Sequence, residues 1–250
     1  MTLTHDGLAV EWLGYATTRI ESGDTVVYID PGRYGVLSGE WTPPNEAARE
    51  AHPPARDYRA GDGDVVFVTH RHHYDPDGID RAAREDATVV VFDGIDVSET
   101  QRTDVRPADL PYEVRTVGME DEGVVADVPF WTVPAYNHPD GPHIRADGSP
   151  VHPEGFGCGY LLAVDGTRVF YPGDSDVLEG HAELDVSLFL PSIDDTFSMG
   201  GEAAVDLAAE MDPDLVLPVH YNTFDALEAD SRAFVADVAE RGVPVVLEES

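Results

Sequence analysis

The chain has 250 residues, 42% of them hydrophobic, and its 49 acidic against 15 basic residues give a formal net charge of −34 at pH 7. The length allows one large domain or two small ones, and the apolar content excludes a disordered chain. Free DNA and RNA are excluded as expected partners, because little basic surface is available to neutralise phosphates. The single cysteine, Cys158, excludes an intrachain disulfide and a cysteine-rich zinc site.

The charge also bears on the environment of the protein. All basic residues are arginine, and the acidic residues are spread along the whole chain. Such a charge repels itself in dilute buffer, whereas concentrated salt screens it because the Debye length falls to about 3 Å at 1 M. The composition resembles that of proteins from extreme halophiles. No apolar run approaches the ~18 residues of a membrane helix and the N-terminus carries no signal pattern, so we expect a cytoplasmic protein without a membrane partner.

The first third of the chain is dominated by strand signals. Short alternating or apolar segments, LAVEWLG, TTRIES and TVVYID, predict β-strands separated by turn residues. A stretch rich in proline, alanine and charge then interrupts this rhythm, and we interpret residues 36–62 as an insertion that is either a solvated loop or a lid. Strands resume at DVVFVTH and ATVVVFDG, with a short helix near Ile79 to Arg84 between them.

The rest of the chain mixes strands and helices. Strand signals fill YEVRTVGMEDEGVVADVPFWTVPAYN, residues 138–155 indicate a loop, and GYLLAVDGTRVFYPGD predicts a hairpin that turns at Asp165 and Gly166. There follow a buried strand (DVSLFLPS), a helix (GGEAAVDLAAEMDPD), a strand (LVLPVHYNTF), a helix that stops at Gly242 and a final strand (VPVVLEE). The pattern predicts one α/β domain over residues 1–250 with two central sheets.

Histidine and aspartate collect where several predicted strands end. THRHHYDPD follows DVVFV, NHPD follows WTVPAY, PGDSD follows TRVFY and PVHYN follows LVL, while VHPEG lies in the 138–155 loop. The carboxyl ends of strands are where open α/β sheets form their sites. Histidine with aspartate suits a divalent ion such as Zn, Mn or Fe. His70 and His72 are two apart in a segment that we predict to be extended, so both would project to one side and reach one metal ion.

The blocks that carry these residues resemble a known family. VTHRHHYDPDG is similar to the T-H-x-H-x-D-H signature of the metallo-β-lactamase fold. The blocks VEWLGYATTRIESGDTVVYIDPG, WTVPAYN…HPEGFGCGYLL, VFYPGDSDVLEG, LPSIDDTFSMGGEAA and PDLVLPVHYNTF resemble, in order, a branch of predicted metal-dependent hydrolases that includes ascorbate-6-phosphate-lactonase-like proteins. The resemblance implies an αββα sandwich, with two central β-sheets flanked by helices. It also implies hydrolysis of a small ester, lactone or phosphoester by a metal-activated water.

The resemblance implies ligands for a first metal ion. His70 and His72 match the two histidines at the start of the signature. Family members carry the third ligand either just after an A-Y/F pair, here His138, or in a later H-P-x-G segment, here His152. The arrangement AYN…HPEGFGCGY favours His152.

Ligands for a second ion follow from the same resemblance. Asp75 and His220 would bind it, and Asp174 in PGDSD would bridge the two ions. The signature is disturbed, because two residues instead of one separate His72 from Asp75. Either a residue is inserted here, or His73 takes the place of His72.

A second departure affects the end of the signature. The usual final histidine is replaced by proline, followed by Asp77, an oxygen donor that would favour Mn or Fe over Zn. Asp75 or Asp77 would be catalytic by orienting the water or accepting its proton. Tyr15 stands where many relatives have histidine, in a substrate-facing or supporting role, and Arg71 is either an anion contact or a partner in a surface ion pair.

These residues predict a hydrolase with one or two divalent ions, zinc being favoured and Mn or Fe the alternatives. Its expected partner is a small-molecule substrate, and the oligomeric state is left open. The missing final histidine motivates a competing hypothesis, a catalytically degenerate metal-binding or sensor protein of the same fold.

Overall fold

A computed structural model of the chain describes residues 2–32, 61–99, 103–223 and 225–248. Within these ranges the strands form two sheets. The seven-stranded sheet contains, in spatial and chain order, β1 (Leu3–His5), β2 (Leu8–Trp12), β3 (Thr18–Ser22), β4 (Thr25–Ile29), β5 (Gly63–Val68), β6 (Ala83–Phe92) and β7 (Glu113–Val117). The six-stranded sheet contains β8 (Glu122–Val125), β9 (Val128–Ala135), β10 (Gly157–Val164), β11 (Thr167–Tyr171), β12 (Leu188–Phe189) and β13 (Leu215–Val216), again in chain order.

Both sheets change from antiparallel to parallel pairing along the chain. Strands β1 to β4 pair antiparallel, and β4 to β7 pair parallel. Strands β8 to β11 pair antiparallel, and β11 to β13 pair parallel. Parallel neighbours end on the same edge of a sheet, so the segments after β4 and β5 meet at one edge of the first sheet, and those after β11, β12 and β13 meet at one edge of the second. These are the segments that carry most of the histidines and aspartates of interest.

The sheets share one hydrophobic core. Phe67 on β5 lies against two rings of the other sheet, Phe130 on β9 at a centroid distance of 5.5 Å and Tyr160 on β10 at 4.9 Å. All six residues of β5 are buried, as expected for a central strand covered on both faces. The helices α1 (Pro76–Ala82), α2 (Gly200–Met211) and α3 (Ser231–Glu240) flank the sheets. The predicted α/β sandwich is therefore confirmed.

Most predicted elements are present with shifted ends. The hairpin turns at Asp165 and Gly166, whose φ values of 48° and 84° are those of a two-residue turn between β10 and β11. The helix expected near Ile79 to Arg84 instead begins at Pro76, because Asp75 caps it, and β6 starts directly at Ala83.

One predicted strand is not formed. VPVVLEE makes only an isolated bridge, between Val245 and Val216, so this segment adds no regular strand to the sheet. The predicted insertion at 36–62 lies outside the described residues except for its last two, and the single-domain assignment stays a prediction. None of the helices in the described ranges has the length and apolar character needed to cross a membrane.

Gly78 on α1 lies against the backbone that follows β4. An ideal Cβ at this position would lie 2.4 Å from both Gly32 Cα and Pro31 O, and neither backbone atom can move aside easily. We therefore expect Gly78→Ala to lower the free energy of unfolding by about 1–3 kcal/mol, the usual cost of overpacking. Gly201→Ala on α2 is the matched control, because nothing lies within 4 Å of its Cβ and alanine favours helix. Chemical denaturation that gave equal losses for both variants would contradict this packing.

Candidate metal site

The segment after β5 is a turn and not the extended segment predicted. The backbone N–H of His73 donates to the carbonyl of His70 at 3.2 Å. This bond brings the rings of His70 and His73 to a centroid distance of 4.2 Å, while Nδ1 of His72 lies 3.2 Å from Nε2 of His152. The prediction of an extended segment is therefore wrong, because the chain reverses within one turn after His70. The reversal sets His73 beside His70, and His72 beside His152.

Asp174 lies among these histidines. Its Oδ2 is 3.4 Å from Nε2 of His70, 3.6 Å from Nε2 of His73 and 3.9 Å from Nε2 of His152. Its Oδ1 is 3.6 Å from Nε2 of His220, and that nitrogen is 3.3 Å from Nε2 of His73. All five residues are buried. One carboxylate from the end of β11 therefore faces imidazoles from three other segments.

Two overlapping groups of side chains have ligand atoms within 4.8 Å of one another. One contains His70, His72 and His152, and the other contains His70, His73 and Asp174. Nε2 of His70 and Oδ1 of Asp174 are buried without a hydrogen-bond partner among the described residues, which buried polar atoms rarely are. Uncharged nitrogen and anionic oxygen donors at this spacing suit a divalent ion. The cluster is capable of binding metal.

Two buried carboxylates orient the histidines from behind. Oδ2 of Asp30, at the end of β4, lies 2.7 Å from Nδ1 of His73, and Thr69 donates to both oxygens of the same carboxylate. Oδ2 of Asp194 lies 2.8 Å from Nδ1 of His220. Because Nδ1 of each ring is bonded to a carboxylate, Nε2 is directed at Asp174, the arrangement typical of metal-binding histidines.

Sequence reasoning did not identify Asp30 or Asp194. Both had the same signal as the residues that were identified, since TVVYID ends in Asp30 and LPSIDD contains Asp194, each just after a strand. The sequence does not indicate that Asp30 contacts His73 or that Asp194 contacts His220, because each pair is far apart along the chain.

Burial and neighbouring charges set the protonation of the cluster. Burial, helped by the positive charges of nearby histidines, lowers the pKa of His72 to about 2, and burial lowers that of His152 to about 4. Both rings are then neutral at pH 7, the form that binds metal. Burial alone would raise the pKa of Asp174, but His220, His73 and His70 hold it well below its usual range, so this carboxylate is ionised.

Three residues predicted for the site are exposed or make other contacts in the structure, and their roles as ligands or catalytic groups stay predictions. Asp75 caps α1, its Oδ1 accepting from the backbone N–H of Asp77 at 3.0 Å, because the first turn of a helix needs such an acceptor. The side chain of Asp77 is exposed on that helix, and His138 is exposed with its Nδ1 accepting from Asp140 N at 3.2 Å. Neither aspartate nor His138 belongs to the two groups described above.

The residues around His220 support its backbone. Both His220 and Tyr15 have positive φ, 58° and 52°, and the N–H of His220 donates to the Tyr15 carbonyl at 3.0 Å. The Tyr15 ring lies 4.8 Å from His220 and 5.0 Å from His73 between ring centroids. Tyr221 stacks on Trp12 at 4.4 Å and so faces the core. Left-handed backbone at two bulky residues is strained, and such strain is typical of functional sites.

Asp194→Asn is expected to weaken metal binding roughly 10- to 100-fold, the usual effect of removing a carboxylate behind a metal-binding histidine. An amide keeps the shape but cannot supply the negative charge that holds the proton on Nδ1 of His220. Asp195→Asn is the matched neighbour, because Oδ1 of Asp195 accepts from Gly201 N at the start of α2 and does not contact His220. Metal titration of both variants checks the prediction, and equal affinities for wild type and Asp194→Asn would refute it.

Comparison with known proteins places this site in a family. The chain is 28% identical over 246 residues to a metal-dependent hydrolase of Archaeoglobus fulgidus, covering 95% of this chain and 94% of that protein. It is 29% identical over 248 residues to another from Thermococcus kodakarensis, covering 96% of each. The solved structure of Igni18, a metallo hydrolase from Ignicoccus hospitalis, has the same fold, with a TM-score of 0.65, 20% identity and coverage of 97% of this chain and 95% of that one.

The predicted resemblance to the metallo-β-lactamase fold is thus confirmed. A family model described as "Beta-lactamase superfamily domain" matches residues 9–220, a span that runs from β2 to the last histidine of the cluster. Because this model covers most of the chain, the protein belongs to the family that it describes, the β-lactamase superfamily.

Proposed function

We propose that this protein is a metal-dependent hydrolase acting on a small ester, lactone or phosphoester. The observation that carries the proposal is the convergence of buried imidazoles on the ionised Asp174 carboxylate. The names of the relatives from Archaeoglobus fulgidus and Thermococcus kodakarensis support the same reaction class. The scarcity of basic residues supports a small molecule, and not nucleic acid, as the substrate.

The proposed ligands divide into two pockets. His70, His72 and His152 form the first, and His73 and His220 form the second, with Asp174 between them. His73 therefore takes the second-pocket position that the resemblance gave to Asp75. Three imidazoles suit zinc in the first pocket, whereas the second pocket also suits Mn or Fe.

The chemistry divides between the ions and the protein. Divalent ions in such a site lower the pKa of water and polarise a carbonyl or phosphoryl oxygen. Asp174 contributes the negative charge of the site, and Asp30 and Asp194 hold the imidazoles in place. The rings of Phe156 and Tyr15 pack against the cluster, at centroid distances of 4.9 Å from His72 and 5.0 Å from His73.

A second candidate function has its own support. Asp75 and Asp77, the residues expected to accept a proton, lie outside both groups of ligand atoms. Their position supports a metal-binding or sensor protein of the same fold as the second candidate.

Metal content and turnover measured together test the two candidates. The protein would be purified in molar salt without chelator, its ions counted by inorganic mass spectrometry, and its activity assayed on a panel of lactones, phosphodiesters and thioesters. The hydrolase proposal expects about two ions per chain and turnover that a chelator abolishes and added Zn or Mn restores. Bound metal without turnover on any panel member would favour the sensor, and absence of metal after loading would refute both.

A further inference from the structure

The loop between β9 and β10 is closed by two hydrogen bonds between Asn137 and His152. The backbone N–H of Asn137 donates to the His152 carbonyl at 2.7 Å, and the backbone N–H of His152 donates to Oδ1 of Asn137 at 2.8 Å. Asn137 is fully buried, and His152 is 1% exposed. Asn137 therefore fixes the backbone of a residue whose imidazole belongs to the proposed first pocket.

The ring of His152 is held by a separate contact. Its Nδ1 lies 3.2 Å from the carbonyl oxygen of Phe197. Because a carbonyl oxygen only accepts, this contact requires the proton on Nδ1 and leaves Nε2 with a lone pair. Nε2 faces the cluster, 3.2 Å from Nδ1 of His72 and 3.9 Å from Oδ2 of Asp174. The Phe197 carbonyl thus sets the tautomer and the direction in which His152 can bind metal.

The side-chain amide of Asn137 also holds that carbonyl. Its Nδ2 donates to Phe197 O at 3.0 Å and to Oδ1 of Asp176 at 3.1 Å, with one N–H group for each acceptor. The reverse orientation of the amide would place its oxygen against two acceptors, so the hydrogen bonds define a single orientation. Asp194 fixes Phe197 as well, because Oδ1 of Asp194 accepts from Phe197 N at 2.6 Å. The carbonyl that directs His152 is therefore held at both ends of its residue.

The Asp176 carboxylate is fixed in turn by other groups. Its Oδ1 lies 2.5 Å from Nδ1 of His143, and its Oδ2 accepts from the backbone N–H of His138 at 2.8 Å. Nε2 of His143 lies 3.3 Å from the Asp195 carbonyl. The His143 and Asp176 side chains are buried, and buried polar groups are costly to leave without a partner. Rotation of the Asn137 amide would therefore break a connected set of buried hydrogen bonds.

We infer that Asn137 is a positioning residue of the first pocket, which holds the backbone of His152 and the Phe197 carbonyl and so directs Nε2 of His152 at the other ligand atoms. The inference rests on the proposed function in one respect, because it takes His152 as a metal ligand. In this role Asn137 acts through His152 and not by contact with an ion or a substrate. Within the described part of the chain it makes no hydrogen bond to His73 or His220, so its effect should be confined to the first ion.

Titration with Co²⁺ tests the inference without turnover. A chelator removes bound metal, and Co²⁺ is then added in molar KCl to wild type and to Asn137→Ala. We expect the substitution to weaken binding of the first ion roughly 10- to 100-fold, the usual effect of losing a residue that orients a metal-binding histidine, and to leave the second ion bound. The visible absorption of the first cobalt ion should also change, because it reports the coordination geometry to which His152 contributes.

Thr132→Val is the matched control for a general loss of stability. Thr132 is also buried, and its hydroxyl accepts from Asp121 N at 2.7 Å and donates to Asp121 O at 3.2 Å. Valine has nearly the same shape but makes neither hydrogen bond, so this variant should unfold more easily while its cobalt affinity and spectrum stay those of wild type. Equal losses of affinity in the two variants would overturn the inference, as would wild-type affinity and spectrum in Asn137→Ala. If Asn137→Ala does not fold, Asn137→Ser carries the same comparison, with the same expected and overturning results.

The tautomer of His152 gives a readout that needs no metal. Nitrogen NMR of the metal-free protein separates the Nδ1–H and Nε2–H forms of a neutral histidine, and His152→Ala identifies the signal. We expect the Nδ1–H form in wild type and in Thr132→Val, and a mixture of the two forms in Asn137→Ala. An Nε2–H form in wild type would contradict the role given to the Phe197 carbonyl and would overturn the inference.

Failure of the hydrolase proposal remains distinguishable from failure of this inference. If metal binds but no panel compound is hydrolysed, the hydrolase proposal fails and the cobalt titration alone decides on Asn137. If wild type binds no ion, the hydrolase proposal also fails, and the tautomer decides. A mixture of tautomers in Asn137→Ala would then support the positioning of His152, and an unchanged Nδ1–H form in that variant would overturn it.

Discussion

Asp174→Asn is expected to remove bound metal from both pockets and to abolish hydrolysis. The Asp174 carboxylate is the one acidic group among the proposed ligands, with oxygens 3.4–3.9 Å from four histidine nitrogens. An amide has the same size but no charge, and it offers one oxygen where two are needed to face two pockets. The loss of metal affinity should exceed the roughly 100-fold effect of replacing a residue that only orients a ligand. Inorganic mass spectrometry after dialysis, with circular dichroism as a check on folding, measures it.

Asp77→Asn is the control for that experiment. Asp77 is exposed on α1, and only its backbone N–H contributes to the helix cap, through Asp75. The substitution removes one negative charge, as Asp174→Asn does, but from an exposed side chain outside the cluster. It should therefore change neither metal content nor turnover. Retention of two ions in Asp174→Asn, or loss of them in Asp77→Asn, would mean that the carboxylate between the histidines is not the one that holds the metal.

The parts of the site that sequence reasoning located are those fixed by strand ends. His70, Asp174 and His220 follow β5, β11 and β13, strands that pair in parallel within their sheets, whereas His152 precedes β10, the antiparallel neighbour of β11. Strand signals are local, and so they can be read from alternation and apolar runs. The same holds for the hairpin at Asp165, whose turn chemistry is contained in two residues.

The parts that could not be predicted depend on contacts between distant segments. The choice between His73 and Asp75 depends on whether the chain after β5 stays extended or turns, and one hydrogen bond from His73 to His70 decides it. That turn is held by Asp30, which bonds Thr69 and His73 from the end of a different strand. Propensity along the chain carries no information on such bonds, because Asp30 is separated from Thr69 by 39 positions and from His73 by 43.

Replacing His73 by glutamine should remove the ion of the second pocket and spare that of the first. Nε2 of His73 lies 3.3 Å from Nε2 of His220 and 3.6 Å from Asp174, whereas the first pocket keeps His72 and His152. We expect the metal content to fall from about two ions to about one per chain, and turnover to fall roughly 100-fold or more, at or beyond the upper end of effects seen for orienting residues. Metal analysis and kinetics on the same preparation measure both.

Asp75→Asn is the matched comparison, because it removes the carboxylate that the family signature places in the second pocket. Asparagine caps a helix about as well as aspartate, so α1 should keep its start and its packing on Gly32. We expect two ions and unchanged turnover. The cap contributes only about 1 kcal/mol, far less than the about 10–16 kcal/mol of a tightly bound zinc ion. A cation could therefore draw Asp75 out of its cap if the carboxylate can reach the pocket. Loss of one ion in Asp75→Asn, with both ions retained in His73→Gln, would show that Asp75 leaves the helix cap to bind metal. It would restore Asp75 as the ligand.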